Sequence, residues 1–208
     1  MDLIKIADAD NRPKAPLRDE LVFKFSEKAV KELEQLFTHY PDKKSAILPA
    51  LWIAQREYGG YLPAEAMAEV AFRLERSYAE IEGVATFYSM YHVGHKVGKH
   101  VIEVCTCLTC HVCGAYRVAD HLKSKLGIDW GETTPDGMFT LEEVECLDAC
   151  DRAPVLQIGD EYVGPVDFAS VDSLIEKLRG TEMATTVKLA DEIVQSQLHK
   201  KDQDAVRG

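Results

Sequence analysis

The six cysteines carry the chemistry this chain can do, and four of them fall within nine residues, Cys105-Thr-Cys-Leu-Thr-Cys-His-Val-Cys113. The other two follow at Cys146 and Cys150. Thiolates are soft ligands for iron and zinc, so their spacing is the first thing to weigh. Cys107, Cys110 and His111 spell C-x-x-C-H, the string to which c-type haem attaches. Cys105, Cys110 and Cys113 have the plant-type ferredoxin spacing C-x4-C-x2-C, whereas Cys107, Cys110 and Cys113 give the C-x2-C-x2-C that opens a bacterial 4Fe-4S run. A zinc knuckle needs no more than such thiols.

Composition narrows the choice. A chain of 208 residues holds one large domain or two small ones. Its 24 basic and 35 acidic side chains leave a net charge of -11, which repels phosphate backbones and anionic lipid, so no nucleic acid is expected as a partner. No apolar run approaches the roughly 18 to 20 residues of a membrane span, and direct membrane insertion is not expected. The opening MDLIKIADADNRPKAPLRDE has no stretch of signal-peptide character and is too acidic for a mitochondrial presequence. The sequence therefore predicts a cytoplasmic protein, in which clustered cysteines bind metal or do redox chemistry rather than form stable disulfides. The haem reading weakens with this, because c-type attachment follows export. The bacterial 4Fe-4S run fails because its fourth position, 117, is arginine.

The elements that position these thiols are legible from periodicity. Ser26 caps a helix carrying Val30, Leu33, Phe37 and Tyr40, stopped at Pro41. A second helix has the stripe Ile47, Leu51, Ala54 and Tyr58 and ends at Gly59-Gly60. Pro63 opens a third, with Met67, Val70, Ala71 and Leu74 inward. Ser77-Tyr-Ala-Glu80 is a capping box for a fourth, with Ile81, Val84 and Tyr88. From Lys99 the period changes. A strand from His100 to Val104 delivers Cys105 into a loop, and a helix from about Val112 buries Tyr116, Ala119, Leu122 and Leu126. A second strand, Met138 to Glu145, delivers Cys146. Strands at Val155 to Ile158 and Tyr162-Val163 form a hairpin through Gly159-Asp160. A last helix carries Val171, Leu174, Ile175 and Leu178. The fold class is α+β, a helical bundle followed by a domain with the element order of a thioredoxin-like fold.

Cys105 and Cys146 each sit where a strand leaves the sheet, and each is followed by a second thiol, at Cys110 and Cys150. Neighbouring strands would bring all four sulfurs to one edge, in a site suited to a 2Fe-2S cluster or to zinc. On the following helix Cys113 shares a face with Arg117, Asp120 and Ser124, opposite the stripe assigned to Val112, Tyr116 and Ala119. That directs Cys113 to solvent. It favours reading Cys107 and Cys113 as spare thiols, although the plant-type set, which would use Cys113 and leave Cys150 idle, stays open.

The paired pattern Cys105-x4-Cys110 and Cys146-x3-Cys150, with Ala153-Pro154 behind it, resembles the thioredoxin-like 2Fe-2S subunit family of NADH:quinone oxidoreductase, respiratory complex I. The stretches QREYGGYLPAEAMAEVA, EGVATFYSMY and VGKHVIEVCT agree, and the resemblance runs from about Phe25 to Gly180. It implies one 2Fe-2S cluster with its iron held by Cys105, Cys110, Cys146 and Cys150. The cysteines at 107 and 113 and the histidine at 111 depart from the family's usual pattern. The resemblance also implies the partners: a flavoprotein subunit that binds NADH and FMN and carries its own iron-sulfur cluster, and other subunits of the peripheral arm. It places the chain on the cytoplasmic side, peripheral to the inner (plasma) membrane through the assembled complex. The corresponding domains are an N-terminal extension (1–24), a helical bundle (25–95), the thioredoxin-like 2Fe-2S domain (96–180) and a polar C-terminal tail (181–208).

Further expectations concern function. A 2Fe-2S cluster takes one electron at a time. The chain has no G-x-G-x-x-G after a strand, no Walker loop and no serine-histidine-acid set, so no residue is expected to be catalytic and NADH chemistry falls to the partner. The acidic stretches Glu142-Glu143-Val-Glu145 and Asp148-Ala-Cys-Asp151 point to a low cluster potential, or form an ordinary solvated face. His92, His95 and His100 read as exposed loop histidines. Phe87, Tyr88, Met90 and Tyr91 divide between core and a docking patch. In the tail, Leu189, Ile193, Val194 and Leu198 recur at helical spacing, but so short a segment is expected to lack structure in the free chain and to order on a partner. Equivalent subunits of NAD-linked hydrogenases or formate dehydrogenases, a free-standing ferredoxin and a zinc-stapled interaction module are the alternatives.

Overall fold

The computed structural model describes residues 21–181 and 184–204, with side chains to 199. Most of the expected N-terminal extension lies outside these residues. The chain divides into two units, Met1–His95 with Ile193–Gly208, and Lys96–Glu192.

The first unit contains α1 (Glu27–Phe37), α2 (Ile47–Glu57), α3 (Ala64–Leu74) and α4 (Tyr78–Phe87). Ser26 Oγ accepts from Ala29 N–H and Ser77 Oγ from Glu80 N–H, each at 3.2 Å, so α1 and α4 begin at their side-chain caps. α2 is buried nearly all round, with Trp52 and Ile53 inside as well as Ile47, Leu51 and Ala54, and is the central helix. α3 buries Met67, Val70, Ala71 and Leu74, as its periodicity requires. α1 is rotated from the expected stripe. It buries Ala29, Leu33 and Leu36 and leaves Val30 and Phe37 half-buried, because Glu32 on the same face pairs with Arg56 of α2 at 2.6 Å. Beyond α4, Tyr91 is buried and donates to the Leu48 carbonyl at 2.8 Å. Phe87, Tyr88 and Met90 are exposed.

The second unit is built on a four-stranded sheet in the order β2-β1-β3-β4. β1 (His100–Cys105) and β2 (Phe139–Val144) are parallel, β3 (Leu156–Ile158) runs antiparallel to β1, and β4 (Glu161–Val163) antiparallel to β3. Between β1 and β2 lie α5 (Leu108–Val112) and α6 (Ala115–Leu126), and α7 (Phe168–Arg179) follows β4. Ile102, Val104, Leu141 and Leu156 of the sheet pack with Val118 and Leu122 of α6 and Val171 and Ile175 of α7. This is the α+β order expected. Gly98 lets the chain run against β2, since a Cβ there would meet the Phe139 carbonyl carbon at 2.7 Å.

Two local expectations change. The single helix expected from about Val112 is two helices, broken at Gly114, whose φ of +97° suits only glycine. The break resets the helical phase, so α6 buries Ala115, Val118, Ala119, Leu122 and Leu126, while Tyr116 and Val112 are exposed. The tail expected to lack structure is helix α8 (Thr185–Asp204), with Ala190, Val194 and Leu198 buried. Its first residue is tied to the second unit through Thr185 N–H and the Lys99 carbonyl (3.0 Å), and farther along Gln195 donates to Glu32 in the first unit at 2.7 Å. These contacts, absent from a short helix considered alone, offset its ordering entropy.

Candidate metal centre

Because β1 and β2 are parallel neighbours, their C-terminal ends lie side by side. Cys105 stands in register with Val144, two residues before Cys146, and both thiol-bearing loops leave the same edge of the sheet. The edge is pinned by Cys105 N–H to the Val155 carbonyl (3.2 Å) and Thr106 N–H to the Val144 carbonyl (2.9 Å).

The first loop turns at once into α5, which brings Cys110 back against Cys105. Both are buried, in a small cluster with Ala115, Ala149 and Val155. Burial, then the hydrogen-bonded Cys105 thiol, pushes the Cys110 thiol up to about 11, against the opposing pull of the Val155 N–H; Cys150 adds to the rise. The second loop, Cys146-Leu-Asp-Ala-Cys150, folds on Asp148, which holds φ +53°. Aspartate tolerates this left-handed conformation, and here it turns the Asp148 N–H back onto Cys146 Sγ at 3.4 Å. That bond lowers the Cys146 pKa, but the neighbouring Cys107 thiol and burial outweigh it and hold the thiol above its ordinary value. Cys150 opens a 3-10 turn, Cys150–Arg152, and is exposed like Cys146.

The donor set fits a 2Fe-2S cluster. Four of the thiols form two pairs in sequence, Cys105-x4-Cys110 and Cys146-x3-Cys150, and each iron of a 2Fe-2S cluster takes two thiolates. The pair Cys105 and Cys110 is buried, and Cys146 and Cys150 face outward. Iron would have to displace the thiol protons, since burial keeps Cys110 protonated.

The remaining candidates separate cleanly. Cys113 ends α5, exposed, in a pocket shared with Arg117 and Phe168 that no other cysteine lines. His111 is exposed and meets the Tyr116 ring edge-on at 5.0 Å. Of the three histidines expected in exposed loops, only His95 is exposed. His92 is half-buried, and burial followed by the His95 charge lowers its pKa to about 4. His100, the first residue of β1, is fully buried with its ring against Phe139. Cys107 is the residue whose place sequence reasoning missed. It is half-buried at the N-cap of α5, beside Cys146.

Residues 33–179 match the thioredoxin-like [2Fe-2S] ferredoxin family. The chain is 45% identical over 159 residues to the second E-type subunit of the NADH-quinone oxidoreductase of Rhizobium meliloti, covering 76% of this chain and 94% of that protein. It is 43% identical over 157 residues to the E-type subunit of the NADH-quinone oxidoreductase of Rickettsia felis, covering 74% and 93%. Among solved structures it is similar to part of an NAD+-reducing NiFe-hydrogenase, with TM-score 0.55 and 26% identity. That match covers 63% of this chain but only 23% of the hydrogenase chain.

Proposed function

The chain belongs to the thioredoxin-like [2Fe-2S] ferredoxin family, and from that premise we propose that it is the electron-transfer subunit of the NADH dehydrogenase module of an NADH:quinone oxidoreductase. It exchanges single electrons with a flavoprotein subunit that holds NADH and FMN. The observation that carries this reading is the parallel pairing of β1 and β2, which sends two thiol pairs off one sheet edge.

A 2Fe-2S cluster, when bound, accepts and releases one electron at a time. Cys105, Cys110, Cys146 and Cys150 hold its irons. The protein's own groups act on the sulfurs in opposite directions. The Val155 and Asp148 N–H groups donate to Cys110 and Cys146 and favour the reduced state. Glu142, Glu143, Glu145, Asp148 and Asp151 lie along the chain in and beside the second loop, and their charge disfavours adding an electron, which favours a low potential. The buried pair Cys105 and Cys110 anchors the site, while the outward pair is the side from which electrons pass.

Leu108 and Val112 are exposed on α5, the helix that carries Cys110, and support a partner covering this edge. That partner and the other peripheral-arm subunits hold the chain on the cytoplasmic face of the membrane. Among the described residues no helix is long and apolar enough to cross it. The hydrogenase likeness favours a second reading, the equivalent subunit of an NAD-linked hydrogenase, but at lower identity and over a fraction of that chain. The other subunits that co-purify with the native assembly distinguish the two.

The ligand set is tested by reconstituting the chain anaerobically with iron and sulfide. The expected product contains the two in equal amounts and, once reduced, shows the EPR signal of a 2Fe-2S cluster. Cys105→Ser, Cys110→Ser and Cys146→Ser abolish or severely alter that signal, and Cys113→Ser leaves it nearly intact. Loss of the cluster in Cys113→Ser overturns the assignment in favour of the plant-type set.

A further inference from the structure

The second ligand loop turns on a residue whose backbone conformation its own side chain disfavours. Among the described residues two that are not glycine hold a positive φ, Glu75 and Asp148. Glu75 is the C-cap of α3, and its left-handed conformation ends that helix with its N–H on the Ala71 and Phe72 carbonyls. Asp148 caps nothing. It lies between β2 and the 3-10 turn Cys150–Arg152, whose N-cap is Ala149. The contact made by its turn, with φ at +53°, is with a ligand thiol: the Asp148 N–H donates to Cys146 Sγ, 3.4 Å from the nitrogen, while the residue itself is exposed.

We propose that Asp148 is a positioning residue that sets the reduction potential of the site through two parts acting in opposite directions. Its left-handed turn holds a peptide N–H on the Cys146 sulfur, and its carboxylate places a negative charge two residues along the chain from both Cys146 and Cys150. The inference rests on the ligand set proposed above. The charge that arrives on reduction is shared with the thiolate sulfurs. An N–H bond to such a sulfur strengthens as the acceptor becomes more negative, which favours reduction, whereas the carboxylate repels the added charge and opposes it. Because the donor is backbone, any residue that adopts the left-handed turn keeps it. Asparagine and glycine do so readily, alanine resists, and β-branched valine resists more strongly.

The step itself is a one-electron reduction. The electron comes from the reductant, dithionite in the test below. No bond forms or breaks at Asp148, and the hydrogen stays on its nitrogen.

The test compares the full chain with Asp148→Asn, Asp148→Gly, Asp148→Ala and Asp148→Val, each reconstituted with iron and sulfide. All four variants lose the same charge, so differences among them report the turn alone. The readouts are the midpoint potential in a dithionite titration and the coupling of exchangeable protons to the reduced cluster, with far-UV circular dichroism to verify folding. Asp148→Asn and Asp148→Gly are expected to have potentials above the parent and to keep every proton coupling. Asp148→Ala and Asp148→Val are expected to fall below Asp148→Asn and to lose one coupling, and the alanine variant carries the comparison if valine prevents folding. A turn that served folding alone would lower the melting temperature of the alanine and valine variants and leave their potentials equal to that of Asp148→Asn. That result overturns the role of the turn and leaves the ligand set standing. An Asp148→Asn potential at or below that of the parent likewise overturns the part given to the carboxylate. A parent chain that assembles no 2Fe-2S cluster, or a cluster unchanged in Cys146→Ala, overturns the ligand set itself and this inference with it.

Discussion

Cys110 shows what burial does to a single ligand. With its pKa pushed up to about 11, it is a neutral thiol in the metal-free chain at neutral pH, so cluster assembly must release protons. His100 obeys the same physics with the opposite sign. Its ring is fully buried, lies obliquely against Phe139 at 5.8 Å, and has no hydrogen-bond partner for Nε2 among the described residues. Burial, then the Lys99 charge, lowers its pKa below the ordinary 6.5. As pH falls through about 6.5, the unfolded chain takes up a proton that folded His100 refuses, so stability is lost below that pH and fully present above it. In the metal-free chain, the drop in melting temperature from about pH 7.5 to about pH 5.5 is therefore expected to be smaller in His100→Asn than in the parent. Parallel drops would show that His100 does not carry the effect. The places of Cys105 and Cys146 in the fold were legible because Cys105 ends β1 and Cys146 follows the end of β2 by two residues. The place of Cys107 was not, because it depends on where α5 begins. The periodicity starts the helix near Val112, whereas it begins at Leu108, and those four residues turn Cys107 from a loop position into an N-cap beside Cys146.

Elements place the ligand loops, and the second loop depends on a close approach. Gly164, after β4, has no room for a side chain, since a Cβ would fall on the Arg152 carbonyl and 3.1 Å from the Arg152 Cβ. Arg152 ends the 3-10 turn that Cys150 begins. Gly164→Ala is expected to cost about 1–3 kcal/mol of stability by overpacking. It should also displace the Cys150 side of the site, seen as shifted g-values in the reduced protein, while Gly83→Ala, at a position with open space, shifts none. Equal spectra in both variants would show that the contact does not hold the loop. Most elements could be read in advance, from side-chain caps at Ser26 and Ser77 and from the stripe of α3. The failures share a cause. The phase of α1 is set by the Glu32–Arg56 pair, that of α6 by Gly114, and the order of α8 by contacts of Thr185 and Gln195, all of which lie outside the local period.

The chain comprises a helical unit and a four-stranded sheet unit, and all six cysteines lie in the second. Hydride oxidation requires a nicotinamide site and a two-electron acceptor, whereas the site built here serves single electrons. The central claim is thus that the chain relays electrons and does not itself oxidise NADH. The most direct measurement is EPR of the reconstituted full chain, free of flavin, treated with dithionite or with NADH and then mixed with the flavoprotein subunit. The account predicts a reduced-cluster signal with dithionite, none with NADH alone, and an NADH-driven signal once the flavoprotein is added. Stoichiometric reduction of the isolated chain by NADH would contradict it.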